Sequence, residues 1–565
     1  MSMIKRHFAT VFGRWGPRQV HYRRAGSGPA LLMLHQSPQS SANLLPLIKV
    51  WQEYFTIIAP DTPGYGCSDP LNVPDPSIED FAKSVLELMD VLGLRRVGVY
   101  GYHTGGSMAV ALSCLAPDRI TGCAVNGLAS LTDEERKEIL TYYLPPLMVR
   151  WDGSHLTWLW SRMRDQHIFF PWFRRTAAAR LKADAPASAV IQNSLVEMLR
   201  AGDHYQVAYR AAFNFAGAAA LRNATVPTLV TASEQDPLLA HQSRITSPPA
   251  CVELKASTDS GAATAACLEL LLRSPGEVAP LAPDTSPIKG RLWQSMADVD
   301  GGQVRIKCNF DAPGRPLLVQ HGAGGSTDTV NDVAQPLVAQ RSLVLVDLPG
   351  HSESDHLLGE SDVTVPKYRE VLVEAVTSLG LDQVDYHGIG SGGLIGLDWS
   401  VAEPDRVHRL AMTNVIFTDD AVMADLKANY TPAWSPDWYG GHLLRCWHLA
   451  RDQLLFWPWY RQYKANIIEG STCLDAHRVH RHVVEMLKAP IMWGLAHQAY
   501  FDYPTDAMLA KVKVPTVLCA TNQSHHISHA RQACATHQHC GFLALPDVPA
   551  ERGPAIEPFF ASELT

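Results

Sequence analysis

The chain has 565 residues, 46% of them hydrophobic and 18% charged, with a formal net charge of −8. That length calls for two to four domains, and the composition excludes a disordered chain. The negative balance, with no basic run in the sequence, argues against nucleic acid and for small-molecule chemistry.

The first residues, "MSMIKRHFATVFGRWG", hold no apolar core long enough for a signal peptide and are expected as a first strand or arm. The short apolar runs "ALLMLH", "FTIIAPD", "VGVY", "ITGCAV" and "PTLVTA" predict buried strands of a parallel sheet. Between the second and third of these runs, Ile78 to Leu94 has helical spacing and ends at a glycine. "VGVYGYHTGGSMAVAL", Val97 to Leu112, predicts a strand, a glycine-bracketed turn and a helix, with His103 at the tip of the turn. A helical, aromatic-rich insertion follows from about Leu131 to Asn223. No stretch approaches the roughly eighteen apolar residues of a membrane span. The eleven cysteines are scattered without CxxC pairs, which predicts reduced thiols in a cytoplasm and neither a disulfide framework nor a zinc site.

The chain repeats itself. "WDGSHLTWLWSRMRDQHIFFPWFRR" from Trp151 matches "WYGGHLLRCWHLARDQLLFWPWYRQ" from Trp438 at an offset of 287, which also lays His103 on Gly390. "APDTPGYGCSD" at Ala59 pairs with "LVDLPGHSESD" at Leu345, and "VPTLVTA" at Val226 with "VPTVLCA" at Val514. So many collinear matches mean a tandem duplication. The expected plan is a first domain over 1–275 with a cap over about 131–223. A proline-rich linker over 276–290 follows, and then a second, degenerate domain over 291–565 with a cap over about 417–513.

This order resembles the α/β-hydrolase superfamily over nearly the whole of both halves. "GYHTG" (Gly101 to Gly105) and "GIGSG" (Gly388 to Gly392) meet its strand–elbow–helix motif, "LHQSP" (Leu34 to Pro38) and "QHGAGG" (Gln320 to Gly325) stand where its oxyanion loop lies, and the "DxPGxGxSD" segment is also characteristic. The resemblance implies an α/β fold of two tandem, mostly parallel sheets, each covered on both faces and carrying a helical cap insertion. It further implies the chain order nucleophile, acid, histidine. This sequence departs from that order: His103 takes the nucleophile's place, Asp236 in "SEQDPLL" the acid's, and "LKASTDSGAATAACL" holds no histidine. In the second half Gly390 and Ser524 occupy the first two places, and "LPDVPAERGP" again lacks histidine. The first half is similar to a bacterial subset of the superfamily with "HTG" elbows, an "HQxP" loop and a "DGSHL" cap segment.

A histidine at the elbow is itself a base. Asp236 would orient one ring nitrogen, with Glu234 as the alternative acid, and the backbone N–H groups of Thr104 and Gln36 would form the oxyanion hole. His35 in the same loop and His155 in the cap complete the expected binding set. His155 recurs as His442, so packing or helix capping stands beside a site role for it. Arg164, in the recurring "RDQ", reads as a structural ion-pair partner. Trp151, Trp158, Trp160 and Trp172 read either as a pocket lining or as plain core. His525, His526 and His529 have no acidic neighbour, and no metal is expected. The expected function is cofactor-independent hydrolysis of a small organic carbonyl compound (an ester, a lactone or a C–C bond) by the first half. The alternatives are a lyase or decarboxylase on the same fold, and a non-catalytic binding or scaffold protein. The expected partners are a small-molecule substrate and at most a second copy of the chain, with neither nucleic acid nor membrane.

Overall fold

The computed structural model describes residues 3–469, 474–522 and 524–562; Met1 and Ser2 of the expected N-terminal arm and residues 470–473 of the second cap lie outside them. The chain divides into two compact units. The first takes the chain up to Met148 together with Thr157–Ser286, and the second takes Val149–Leu156 together with the chain from Pro287 onward.

The first unit is built on one eight-stranded sheet. Its strands are β1 (Lys5–Gly13), β2 (Gly16–Ala25), β3 (Ala30–Leu34), β4 (Thr56–Pro60), β5 (Val97–Tyr102), β6 (Ile120–Asn126), β7 (Thr228–Ser233) and β8 (Val252–Ser257), in the order β1-β2-β4-β3-β5-β6-β7-β8. β1 and β2 form an antiparallel hairpin, β2 joins β4 antiparallel, and the remaining pairs are parallel. Every residue of β3 and β4 is buried, because helices cover both faces, and this is why those strands read as unbroken apolar runs. On one face α1 (Leu45–Trp51) brings Ile48 and Trp51 against Leu31, Met33, Ile57 and Tyr100.

α2 (Ile78–Val91) starts at a reciprocal Ser77–Asp80 capping box. It closes one turn earlier than its hydrophobic spacing suggests, before Gly93 at φ +65°. α3 (Thr104–Leu115) is buried over nearly its whole length. Between β6 and β7 lies the cap, with α4 (Asp133–Tyr142), α5 (Ser154–Ile168), α6 (Ser188–Ala201), α7 (Tyr205–Asn214) and the short α8 (Gly217–Ala220); α9 (Ser260–Arg273) packs beneath the sheet.

The expected linker over 276–290 is not a free tether. Up to Ser286 it is strapped to the first unit: Ala30 N–H donates to Glu277 O at 2.7 Å, Val278 bridges Pro29, and Thr285 Oγ1 donates to Phe8 O at 2.7 Å. Proline and small residues suit an extended strap whose hydrogen bonds are met by strand ends, as well as they suit a linker.

In the second unit, β9 (Trp293–Val299), β10 (Gly302–Asn309), β11 (Leu317–Gln320), β12 (Leu343–Val346), β13 (Val384–Ile389), β14 (Val407–Thr413), β15 (Thr516–Thr521) and β16 (Cys540–Leu545) repeat the order of the first sheet. Among the described residues no helix is long and apolar enough to cross a membrane.

Candidate active site

β5 delivers the chain to His103, which adopts φ +50° and ψ −107° before α3 begins at Thr104. The left-handed region costs most side chains energy, and the flanking glycines make so sharp a turn possible. A Cβ on Gly101 would lie 2.2 Å from Gly105 O, and one on Gly105 would lie 2.1 Å from Leu34 O. Any side chain at either position would push strand and helix apart.

Asp236 follows β7 and caps the 3-10 turn Pro237–Arg244, its Oδ1 accepting from Leu238 N–H at 2.9 Å. Its Oδ2 lies 2.7 Å from His103 Nε2. Burial works to raise the Asp236 carboxyl, but His103, the hydrogen bond to it, Leu238 N–H and His241 outweigh burial and hold it below the usual carboxylate range. An ionised carboxylate only accepts. The proton of the neutral imidazole therefore sits on Nε2, and Nδ1 carries the free lone pair. Glu234, the other acid candidate, is exposed.

Two residues that sequence reasoning did not single out complete the dyad's surroundings. The Tyr102 ring lies 4.2 Å from that of His103, tilted by 34°, and burial followed by the charge of Asp236 pushes its hydroxyl above the ordinary tyrosine range. Gly127, just past β6, has φ +78°. A Cβ there would fall 2.4 Å from His103 Cδ2 and 3.1 Å from Asp236 Oδ2. The only signal in the sequence was a glycine at a strand end. Gly127→Ala should therefore displace the imidazole and reduce kcat about a hundredfold with a smaller change in KM, as steady-state kinetics of the folded variant would show. Unchanged kcat would mean the ring has another working position.

The dyad opens on a cavity of about 390 Å³, within the range of small-molecule sites. From the sheet side Gln36, Ser37, Tyr102, His103, Thr104 and Asp236 line it; from the cap come Tyr143, Met163, Gln166, His167, Phe170 and Tyr209. Burial holds His167 below the usual histidine range, so its ring is neutral at pH 7.

Gln36 and Thr104 thus reach the cavity, and two other expected residues do not. His35 is buried behind the loop, where Nδ1–H donates to Gln36 O at 2.8 Å and Nε2 accepts from Thr62 N–H at 2.9 Å. With both ring nitrogens engaged, it holds the loop in place and is not free to bind substrate. His155 belongs to Val149–Leu156, the segment grouped with the second unit. There its Nε2 lies 3.0 Å from His480 Nδ1 and its ring packs edge-on to Trp447. Its partners are hundreds of residues away in sequence, and of the two expected readings, packing and a site role, these contacts fit packing. No tryptophan lines the cavity: Trp160 and Trp172 are core, while Trp151 and Trp158 are exposed.

The second elbow keeps the shape without the groups. Gly390 has φ +59° and open space where a side chain would stand. Next to it Ser391 Oγ accepts from Ala323 N–H at 2.6 Å. His321 repeats the bonds of His35, to Gly322 O at 2.8 Å and from Leu348 N–H at 3.0 Å. Counted from these two histidines, Ala323 corresponds to Ser37. Ser524, in the acid's place, accepts from His526 N–H at 3.1 Å and serves as a turn residue. His525 stacks on Trp457 at 4.3 Å. Among the described residues no three His, Cys, Asp or Glu side chains converge as a metal site.

The model of the alpha/beta hydrolase fold family matches residues 29–247 and 315–448, together more than half of the chain. The soluble epoxide hydrolase of Corynebacterium sp. (strain C12) is 42% identical over 107 residues, covering 19% of this chain and 35% of that protein. Haloalkane dehalogenase 2 of Mycobacterium tuberculosis is 31% identical over 104 residues, covering 18% of this chain and 36% of that protein. The chain therefore spans about a third of the length of these curated relatives. The enol-lactonase of Burkholderia xenovorans LB400 superposes with a TM-score of 0.36 at 15% identity, over 47% of this chain and 95% of that one.

Proposed function

Since the chain belongs to the alpha/beta hydrolase fold family in both of its halves, we propose that its first half hydrolyses a small organic carbonyl compound, with His103 as the base. The observation that carries this reading is the 2.7 Å His103–Asp236 pair at the head of a cavity. In the proposed step Nδ1 of His103 takes a proton from water, and the hydroxide adds to the substrate carbonyl carbon. The resulting oxyanion is met by the N–H groups of Thr104, at the start of α3, and of the Gln36–Ser37 loop. When the tetrahedral intermediate collapses, the proton on Nδ1 passes to the leaving group. Asp236 keeps Nε2 protonated throughout and balances the transient imidazolium. The second half supplies fold and no chemistry, because its elbow lacks base and acid alike.

The test is turnover of esters, lactones and β-keto acids by the native chain and by Asp236→Asn across pH. The dyad must be neutral on the histidine side, so kcat/KM falls in acid through one ionisation of the coupled pair. Asp236→Asn removes the counter-charge of the imidazolium. The acid limb should move to lower pH while the maximal rate falls by about two to three orders of magnitude through lost orientation. An acid limb that does not move would refute the dyad.

A further inference from the structure

Arg162, in the middle of α5, is 1% exposed, and its Nε and Nη2 have no hydrogen-bond partner. No carboxylate pairs with it among the described residues. The acidic groups along the neighbouring cap helices are engaged elsewhere: Asp165 with Arg175, Glu197 with Arg200, and Asp203 with Leu147 N–H. A buried guanidinium without a counter-charge is costly. The faces of Tyr143, Trp172 and Tyr205, 5.4–5.7 Å away, offset only part of that cost.

Among the described residues one oxygen accepts from Arg162, beside the sulfurs of Met198 and Met163, and it belongs to the cavity wall. Nη1–H donates to Gln166 Oε1 at 3.2 Å, and Gln166 Nε2–H donates in turn to Tyr209 OH at 3.3 Å. Gln166 and Tyr209 both line the cavity that holds His103. The guanidinium thus fixes the amide with its N–H side toward Tyr209 and stands as an uncompensated positive charge behind the wall.

The second half is an internal control. Leu449 replaces Arg162 at the same register, although the aromatic pair survives as Tyr430 and Trp459 at 6.5 Å. Gln453, the counterpart of Gln166, still donates to a tyrosine, Tyr430 OH at 3.1 Å, and its Oε1 is held by His482 at 3.0 Å. Burial lowers His482 to about 4, so the second half keeps the hydrogen bond and loses the charge. The packing and the glutamine's orientation do not need an arginine. The cation stands only in the half that has the elbow histidine.

From this placement we infer that the substrate carries a carboxylate, bound under the cap against the Gln166–Tyr209 wall and neutralising Arg162. The inference rests on the cavity being a substrate site and deepens that reading by naming an acid as the substrate class. Arg162 is here a specificity-determining residue, acting through Gln166.

Binding, measured by calorimetry without turnover, separates this inference from the proposed reaction. The probes are benzoylformate and its neutral isostere benzoylformamide, each with the native chain, Arg162→Met, Arg162→Lys and Gln166→Leu. The native chain should prefer the anion about tenfold or more, Arg162→Lys should keep most of that preference, and Gln166→Leu should weaken it severalfold. Arg162→Met should abolish it; if that variant fails to fold, the Lys and Leu variants decide. Absence of a preference for the acid in the native chain, including no binding of either probe at about 10 mM, overturns the inference. So does an undiminished preference in folded Arg162→Met or, where that variant does not fold, in Gln166→Leu.

Discussion

Replacing His103 by alanine is expected to lower kcat by about three orders of magnitude or more while the chain stays folded. The ring is half-buried and faces the cavity, and its packing is confined to Tyr102 and Gly127 at the strand ends. Its loss has an electrostatic consequence: Asp236, 9% exposed at its side chain, keeps Leu238 N–H and loses the Nε2–H donor. That should cost about 1–3 kcal/mol, seen as a modest fall in Tm at pH 7. The sign follows from the depressed carboxyl of Asp236. Its contribution is present above the unfolded carboxylate pKa of about 3.9 and is lost as pH falls through the folded value. Turnover by folded His103→Ala at the native rate would end the role given to this residue.

Acid should unfold the second unit first, with a midpoint near pH 5. His482 and His497 are held near 4 by burial, His387 is likewise near 4, and His351 is near 3. Each ring is neutral and makes a hydrogen bond through one nitrogen, to Gln453 Oε1, Trp493 O, Thr413 Oγ1 and Pro349 O respectively. His351 Nε2 and His387 Nδ1 are buried without an acceptor for a second proton. The unfolded chain takes up these protons below about pH 6.5, and the folded one does not until about pH 4. Stability present above pH 6.5 is therefore lost as pH falls, by about 2 kcal/mol per histidine at pH 5. The four together approach 8 kcal/mol, comparable with the whole stability of an ordinary domain. Hydrogen exchange followed peptide by peptide against pH would show β10–β15 opening while β3–β7 stay protected. Simultaneous opening of both sheets, or a second sheet intact at pH 3, would contradict it.

How much of this was legible beforehand depends on how local the causes are. β3 to β7 could be read because strands buried on both faces must be apolar throughout, and the elbow could be read because its glycines answer to backbone collisions a few residues away. β8 was overlooked, since an edge strand with exposed residues looks like a loop. The pairing of His103 with Asp236 followed from chain order within a familiar plan, not from any spacing between two residues 133 apart. Gln166 and Arg162 lay inside a helix whose aromatic neighbours resemble ordinary core, and nothing local says that an arginine there lacks a carboxylate. His155 is opaque for the same reason in reverse: its hydrogen-bond partner His480 is 325 residues away.

The hydrogen bond from Ala323 N–H to Ser391 Oγ bears on what a single substitution could do at the second elbow. A mutation restoring a reactive side chain at Gly390 would enter a strained backbone, at φ +59°. It would find the neighbouring loop amide already engaged and Ser524 where an acid is needed. On the proposed mechanism no single substitution there supplies base, acid and free amide together. Leu449 stands at the register of Arg162, so a second elbow supplied with a base would still lack the buried cation. On the proposed reading, a substitution at the second elbow is tested by folding alone, while one at the first is tested by turnover as well.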